Sequence, residues 1–157
     1  MLTNFKTEEI LNQKDVEEII KLENSLKTEF KTKYYNLYNV DYSHVNSEYR
    51  KKISGLIKLE EYAKRHVHSH YILTYYPGSW ARVHIDDESK SELTIVTHLE
   101  SNNLVGGHSL FYDEQMPLVV DLEPPRSLVY DFQVQHGVTK VFSGTRKVLI
   151  SWFGKPL

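Results

Sequence analysis

Apolar residues recur along this chain with two different periods, and the change falls near residue 68. In the first part Val16, Ile19, Ile20, Leu26 and Phe30 return at helical spacing among charged positions, the pattern of a helix with one buried stripe. Asp15 opens D-V-E-E with Glu18 three residues on, a capping-box-like start. The polar, tyrosine-rich stretch from Tyr35 to Asn46 interrupts the pattern and predicts a loop. Ser47 is placed to cap a second helix that buries Tyr49, Ile53, Leu56, Ile57 and Ala63. Gly55 inside it weakens that helix by about 1 kcal/mol relative to alanine.

From about Ser69 the period is two. Eight runs rich in Val, Ile, Tyr, Thr and Phe follow: HYILTYY, WARVHID, ELTIVTHL, HSLFYD, PLVVDL, SLVYDF, GVTKVF and RKVLISWF. Turn residues separate them at Pro77-Gly78, Asp87 to Lys90, Asn102 to Gly107, Pro124-Pro125, His136-Gly137 and Ser143-Gly144. Strands at this spacing predict an antiparallel sandwich or barrel, a jelly roll being one closed form, with the helices covering an outer face. The expectation is a single domain over 1–157, with residues 1–67 as helical support and 68–157 as the β core.

Composition narrows the classes. Of 157 residues, 40% are hydrophobic and 25% charged, enough apolar surface for a core. The formal net charge of -2 gives no electrostatic reason to expect nucleic acid. Without cysteine there is no disulfide, thiolate metal site or cysteine nucleophile. Neither an apolar leader nor a bilayer-length apolar run is visible, so a cytoplasmic soluble protein is expected. No G-x-S-x-G elbow or Gly-rich phosphate loop occurs.

Candidate chemistry gathers in the β half. His84 and Asp86 form an H-x-D pair, and residues two apart on a strand point to one face. His136 follows, and then Arg146. Two imidazoles and one carboxylate on one face of ferrous iron leave positions open for co-substrates; a surface histidine bonded to an aspartate is the plainer alternative. Arg146 shares parity with Val148, Ile150 and Trp152, opposite to Lys147 and Ser151. A buried arginine requires an anion. Either an acid elsewhere in the fold or a bound carboxylate, gripped by both arms of the guanidinium, satisfies it. His66, His68 and His70 alternate in HVHSH and read as a solvated helix-to-strand junction. His44 and His108 read as structural, and Asp87 has the wrong parity for a ligand. Tyr34, Tyr35, Tyr38 and Tyr42 read as packing or as a substrate lip.

Taken in order, YYPG (with Tyr76, Pro77 and Gly78), HID, the Gly106-Gly107 step into HSLFYD, EPPRSLVYDF, HGV and SGTRKVLISW make the chain similar to a known family. From Tyr71 to Phe153, a little over half the chain, it resembles the 2-oxoglutarate- and Fe(II)-dependent dioxygenases, and among them the prolyl 4-hydroxylase group. The resemblance implies a double-stranded β-helix (jelly roll) with two helices packed on the major sheet. It implies that His84, Asp86 and His136 bind Fe(II), and that 2-oxoglutarate chelates the iron while its far carboxylate pairs with Arg146. Tyr76 would line the co-substrate pocket and Trp152 would close it. His98 stands where the prolyl hydroxylases often place a tyrosine supporting the far carboxylate; it carries that role or is a satisfied inward histidine.

The implied reaction uses O2 and 2-oxoglutarate, with ascorbate as a reductant, and yields succinate, CO2 and a hydroxylated C–H bond. A prolyl residue in a protein or peptide is the expected substrate. A free amino acid or other small metabolite is a second option, and a non-catalytic jelly-roll binding module a third. Nucleic-acid demethylation is not expected, because no arginine follows Arg146 and no basic approach surface is evident. Nothing in the sequence sets the oligomeric state.

Overall fold

The computed structural model describes residues 5–26, 28–29, 36–113 and 116–157, with backbone only at 28, 29 and 113. Two helices, α1 (Gln13–Leu22) and α2 (Ser54–Ala63), lie among strands β1 (Phe5–Glu8), β2 (Thr28–Glu29), β3 (Leu37–His44) and β4 (Arg65–His84). The chain continues through β5 (Leu93–Gly106), β6 (Ser109–Asp113), β7 (Met116–Val120), β8 (Ser127–Asp131), β9 (His136–Val138) and β10 (Val141–Pro156). All pairings are antiparallel among the described residues, in the order β1-β8-β5-β10-β4-β9-β6-β7, with β3 joined to β4 and β2 to β3. The sheet curls on itself. Strands far apart in that order meet across the inside, with Phe111 of β6 against Phe5 of β1 at 4.4 Å and against Tyr130 of β8 at 5.3 Å between ring centroids.

Alternation along β10 builds two apolar layers. Leu149 and Phe153 point outward and pack with Ile72, Ile95, Leu99 and Val129 beneath Val16, Ile19, Leu56 and Leu59 of the helices. Val148 points inward with Leu73, Val96, Phe111 and Leu128. The parity expected for Arg146, Val148, Ile150 and Trp152 therefore holds: all four line one interior cavity.

Several local expectations are corrected. Helix α1 is capped by Asn12, not begun at Asp15; Asp15 is the reciprocal partner, its N–H donating to Asn12 Oδ1 at 2.9 Å and its Oδ2 accepting from Asn12 N–H at 3.0 Å. Glu18 instead accepts from the Ser54 N–H at the start of α2, and Lys58 reaches back to Asp15 at 2.7 Å. Ser47 opens only a short 3-10 turn (Ser47–Tyr49), and Ile57 faces outward. Gly55 belongs where it is: a Cβ there would lie 2.9 Å from Ile19 Cδ1. Phe30 lies outside the described residues. Much of the expected loop after Tyr35 is strand β3, whose Val40 and Tyr42 are buried. HYILTYY and the WARVH of WARVHID are one strand, β4, because Pro77-Gly78 forms an irregularity within it rather than a break, and the strand ends at His84, short of Asp86. Ser143-Gly144 likewise lies inside β10.

Candidate metal and dicarboxylate site

The long strand β4 pairs with β10, β3 and β9 along successive parts of its length. Its last residue, His84, sits directly opposite His136, the first residue of β9. Asp86 lies two residues past the end of β4, where its N–H donates to Phe132 O at 3.2 Å. His84, Asp86 and His136 each offer a ligand atom, and these atoms all lie within 4.8 Å of one another. Asp86 Oδ1 is 3.3 Å from His136 Nε2 and 3.7 Å from His84 Nε2.

Both rings are held from behind. His84 Nδ1 meets Arg82 O at 2.5 Å and His136 Nδ1 meets Val134 O at 2.8 Å. A carbonyl only accepts, so each Nδ1 carries the hydrogen and each Nε2 is left to present a lone pair inward, the arrangement metal-binding imidazoles adopt. The ring centroids are only 4.4 Å apart. Burial, followed by the charge of His136, presses the His84 pKa down. Burial alone would raise the Asp86 pKa, but His136, the Thr94 hydroxyl and His84 together hold it below the ordinary carboxylate range. The result is an anion beside two imidazole nitrogens, a donor set a divalent cation satisfies.

The three converge on a cavity of about 710 Å³. At one end stands Arg146, 3% exposed, its NH2 donating to Ser109 Oγ at 3.0 Å and its guanidinium carbon 4.9 Å from the Tyr75 ring centroid. Burial lowers its pKa, yet a guanidinium stays charged, and no carboxylate pairs with it within 4 Å among the described residues. His98, on the same face as Val96 and opposite Val148 in register, has a buried Nε2 without a hydrogen-bond partner. Burial, then the charge of Arg146, push its pKa down to about 3. A buried cation without an acid partner near an imidazole nitrogen without a hydrogen-bond partner is an arrangement that a carboxylate would satisfy, although His98 itself does not line the cavity.

At the opposite end the cavity is aromatic. Tyr71 lies 5.6 Å from Trp152, 5.9 Å from Tyr42 and 5.0 Å from His44 between ring centroids, and all four line the cavity. Tyr130 stands over His136 with centroids 4.5 Å apart, and burial followed by the Asp86 charge raise its phenol pKa well above the ordinary value.

One expected pocket residue, Tyr76, lies outside the cavity. Tyr76 is 38% exposed on the outer face, and its neighbour Tyr75 takes the inner place because Tyr75 is the register partner of Arg146. Trp152 does line the cavity, but six positions along β10 from Arg146, at the aromatic end. His44 also lines the cavity. His70 is not solvated: it is buried, with Nδ1 2.7 Å from Ser151 Oγ and Nε2 3.2 Å from Glu60 Oε2. His108 pairs with Asp121 at 2.8 Å on the surface. Asp87 is exposed and engaged by Ser89, as its parity implies. Tyr38 stacks on Trp80 at 4.1 Å, whereas Tyr34 and Tyr35 lie outside the described residues. Sequence reasoning did not single out Ser109, Tyr75, Thr94 or Tyr130. Thr94 shares parity with Val96 and His98, and Tyr130 with Leu128, so the alternation held that signal.

No protein-family model matches the chain, and no curated protein sequence matches it either. Solved structures do match in fold. An oxidoreductase of the 2OG-Fe(II) oxygenase family from Burkholderia pseudomallei superposes with a TM-score of 0.79 at 14% identity, covering 96% of this chain and 85% of the other. A Pseudomonas putida prolyl-4-hydroxylase gives 0.69 at 14% identity, covering 98% and 94%. HygX from Streptomyces hygroscopicus, with nickel, 2-oxoglutarate and hygromycin B bound, gives 0.74 at 11% identity, covering 98% and 83%. The chain thus has the mostly β, helix-backed curled sheet found in 2OG-Fe(II) oxygenases, prolyl 4-hydroxylases among them.

Proposed function

We propose that the protein is a 2-oxoglutarate- and Fe(II)-dependent dioxygenase built as a single-domain double-stranded β-helix. His84, Asp86 and His136 are its metal ligands. Arg146, Ser109, Tyr75 and His98 receive the far carboxylate of 2-oxoglutarate. The observation that carries the reading is one cavity with three convergent ligand atoms and a buried arginine that has no acid partner among the described residues. Ferrous iron with 2-oxoglutarate bound supplies O2 activation, so that a C–H bond, 2-oxoglutarate and O2 become an alcohol, succinate and CO2.

The chain's own part is orientation and shielding. The carbonyls of Arg82 and Val134 fix which nitrogen each histidine presents. Arg146 sets the direction in which a diacid enters. The aromatic end, where Trp152 pairs with Thr94 beside Asp86, is where the substrate's C–H bond is seated, and its aromatic walls keep water back. A prolyl residue in a peptide or protein is the substrate we favour, in keeping with fold neighbours that include prolyl hydroxylases, one solved with a peptide fragment of hypoxia inducible factor. A free amino acid or small metabolite is the second reading, in keeping with the hygromycin B held by HygX.

The test is succinate release with Fe(II), 2-oxoglutarate and proline peptides or free amino acids, read together with a +O product by mass spectrometry. Turnover that survives Asp86→Ala removes the proposed ligand. A wild-type protein that binds no 2-oxoglutarate leaves only a non-catalytic binding module.

A further inference from the structure

We propose that Thr94 is a positioning residue for the metal ligand Asp86, confining its carboxylate to ligation through one oxygen, and that Ser91 links this grip to the mouth of the cavity. The inference rests on the metal site proposed above. Strand β4 has ended at His84, so Asp86 is not held in place by a continuing ladder. Its main chain is tied by the bond to Phe132 O, and its side chain needs a separate support. Thr94 supplies one from the inside of β5, where it pairs with Tyr130 on one side and Trp152 on the other. It is 0% exposed, and its Oγ1 donates to Asp86 Oδ2 at 2.5 Å.

The two carboxylate oxygens therefore have different company. Oδ2 is taken by the threonine, while Oδ1 faces the two Nε2 atoms at 3.3 and 3.7 Å. A carboxylate free at both oxygens can swing to two-oxygen ligation and occupy a position that the co-substrates need. A hydrogen bond to the outer oxygen opposes that swing.

The hydrogens have one consistent direction. A carboxylate has none to give, so the single hydroxyl hydrogen of Thr94 points to Asp86. Thr94 Oγ1 is then left as an acceptor for Ser91 Oγ, 2.9 Å away, which donates to Leu93 O at the same distance and divides its one hydrogen between the two. Aligned donors polarise one another, so Ser91 strengthens the bond on Asp86. Ser91 lines the cavity with Asp87 and Lys90 and ends the turn in which Lys90 and Ser91 N–H both donate to Asp87 O. The mouth and the metal ligand are thus two hydrogen bonds apart.

Co(II) titration of the whole 157-residue chain, read by visible absorption and by competition with a chelator, tests the proposal without any turnover. Thr94→Val keeps the volume and deletes the hydroxyl. Its Co(II) affinity should fall about 10- to 100-fold with an altered absorption envelope, the range seen when a ligand's supporting partner is lost. Thr94→Ser should restore affinity to within a few-fold. Ser91→Ala should give a smaller loss, within about tenfold. A purely structural threonine would lower the melting temperature of the metal-free protein and leave affinity and spectrum alone. Wild-type affinity and spectrum in Thr94→Val overturn the inference; should that variant not fold, unchanged binding in Ser91→Ala overturns it instead. A wild-type chain that binds no Co(II) removes the ligand assignment itself.

Discussion

Arg146 and Tyr75 face each other in register across β10 and β4, with the guanidinium carbon 4.9 Å from the ring centroid. The ring covers one face of the cation, and Ser109 takes one of its donors, leaving others for an anion. Arg146→Met should therefore weaken 2-oxoglutarate binding to the metal-loaded protein by at least about 100-fold, the scale of losing one partner of a buried charge pair. Binding of 2-oxobutyrate, which keeps the keto-acid end and lacks the far carboxylate, should change little. Calorimetry on both ligands checks this, and equal losses for the two would remove Arg146 from the carboxylate subsite.

Metal loading should stabilise the fold through the triad. At a free Co(II) or Mn(II) concentration near one hundred times Kd, linkage gives about 2.7 kcal/mol of added stability. Asp86→Ala should abolish that gain, and His136→Ala should do the same. Thermal melts with metal and with chelator measure it; a variant that still gains stability from metal retains the site by other ligands.

Gly137 lies in β9, beside His136, with its Cα turned against β4. A Cβ there would lie 2.9 Å from Ala81 O and 3.1 Å from Val83 N, both backbone atoms of β4. Gly137→Ala must push β9 away from β4 and with it His136 from His84. We expect a stability loss of about 1–3 kcal/mol, as for overpacking elsewhere, together with weaker Co(II) binding. Denaturant titration and metal titration report the two effects separately, and wild-type values in both would show that the strands yield without consequence.

His98 makes the ligand-free protein acid-sensitive. Its folded pKa is pushed down to about 3 by burial and by the charge of Arg146, against about 6.5 for an unperturbed histidine. Unfolded chains thus take up this proton first. The stability that a neutral His98 contributes is complete above about pH 6.5 and is lost as pH falls towards the folded value, with a slope approaching 1.4 kcal/mol per pH unit in between, about one proton's worth. His98→Gln keeps an amide donor for a carboxylate and should flatten that part of the profile. Urea titrations at pH 7.5, 6 and 5 test this; profiles that stay parallel would show that His98 does not titrate between the states.

Much of the site was legible because strands advertise their faces. The shared parity of Arg146 with Val148 and Ile150 follows from alternation alone, whereas Asp86, expected on the strand of His84, lies two residues past its end and joins His84 through a bend tied to Phe132 O. Where alternation is interrupted, reading failed. Strand β3 looked like a loop because Asn39, at φ 59°, shifts the parity between Leu37, which lines the cavity, and buried Val40. The resemblance at YYPG points to Tyr76, whereas the inner place of Tyr75 follows from its pairing with Arg146, a fact held in another strand. Ser109 and Thr94 are ordinary strand residues in sequence, and only the curl of the sheet brings one to Arg146 and the other to Asp86. His70 reads as a surface residue until Glu60 of α2 is packed over it.

Tyr75 and His84 both belong to β4, and although the Pro77-Gly78 irregularity lies between them, each side of it is held by ladders of its own, to β10 and β3 before it and to β9 after it. Neither can approach the other without breaking the ladders on both flanks. In the proposed oxygenase the cavity would therefore act as a gauge that tells diacids apart by span, and a homologue one methylene longer or shorter than 2-oxoglutarate should either buckle or leave one terminus ungripped.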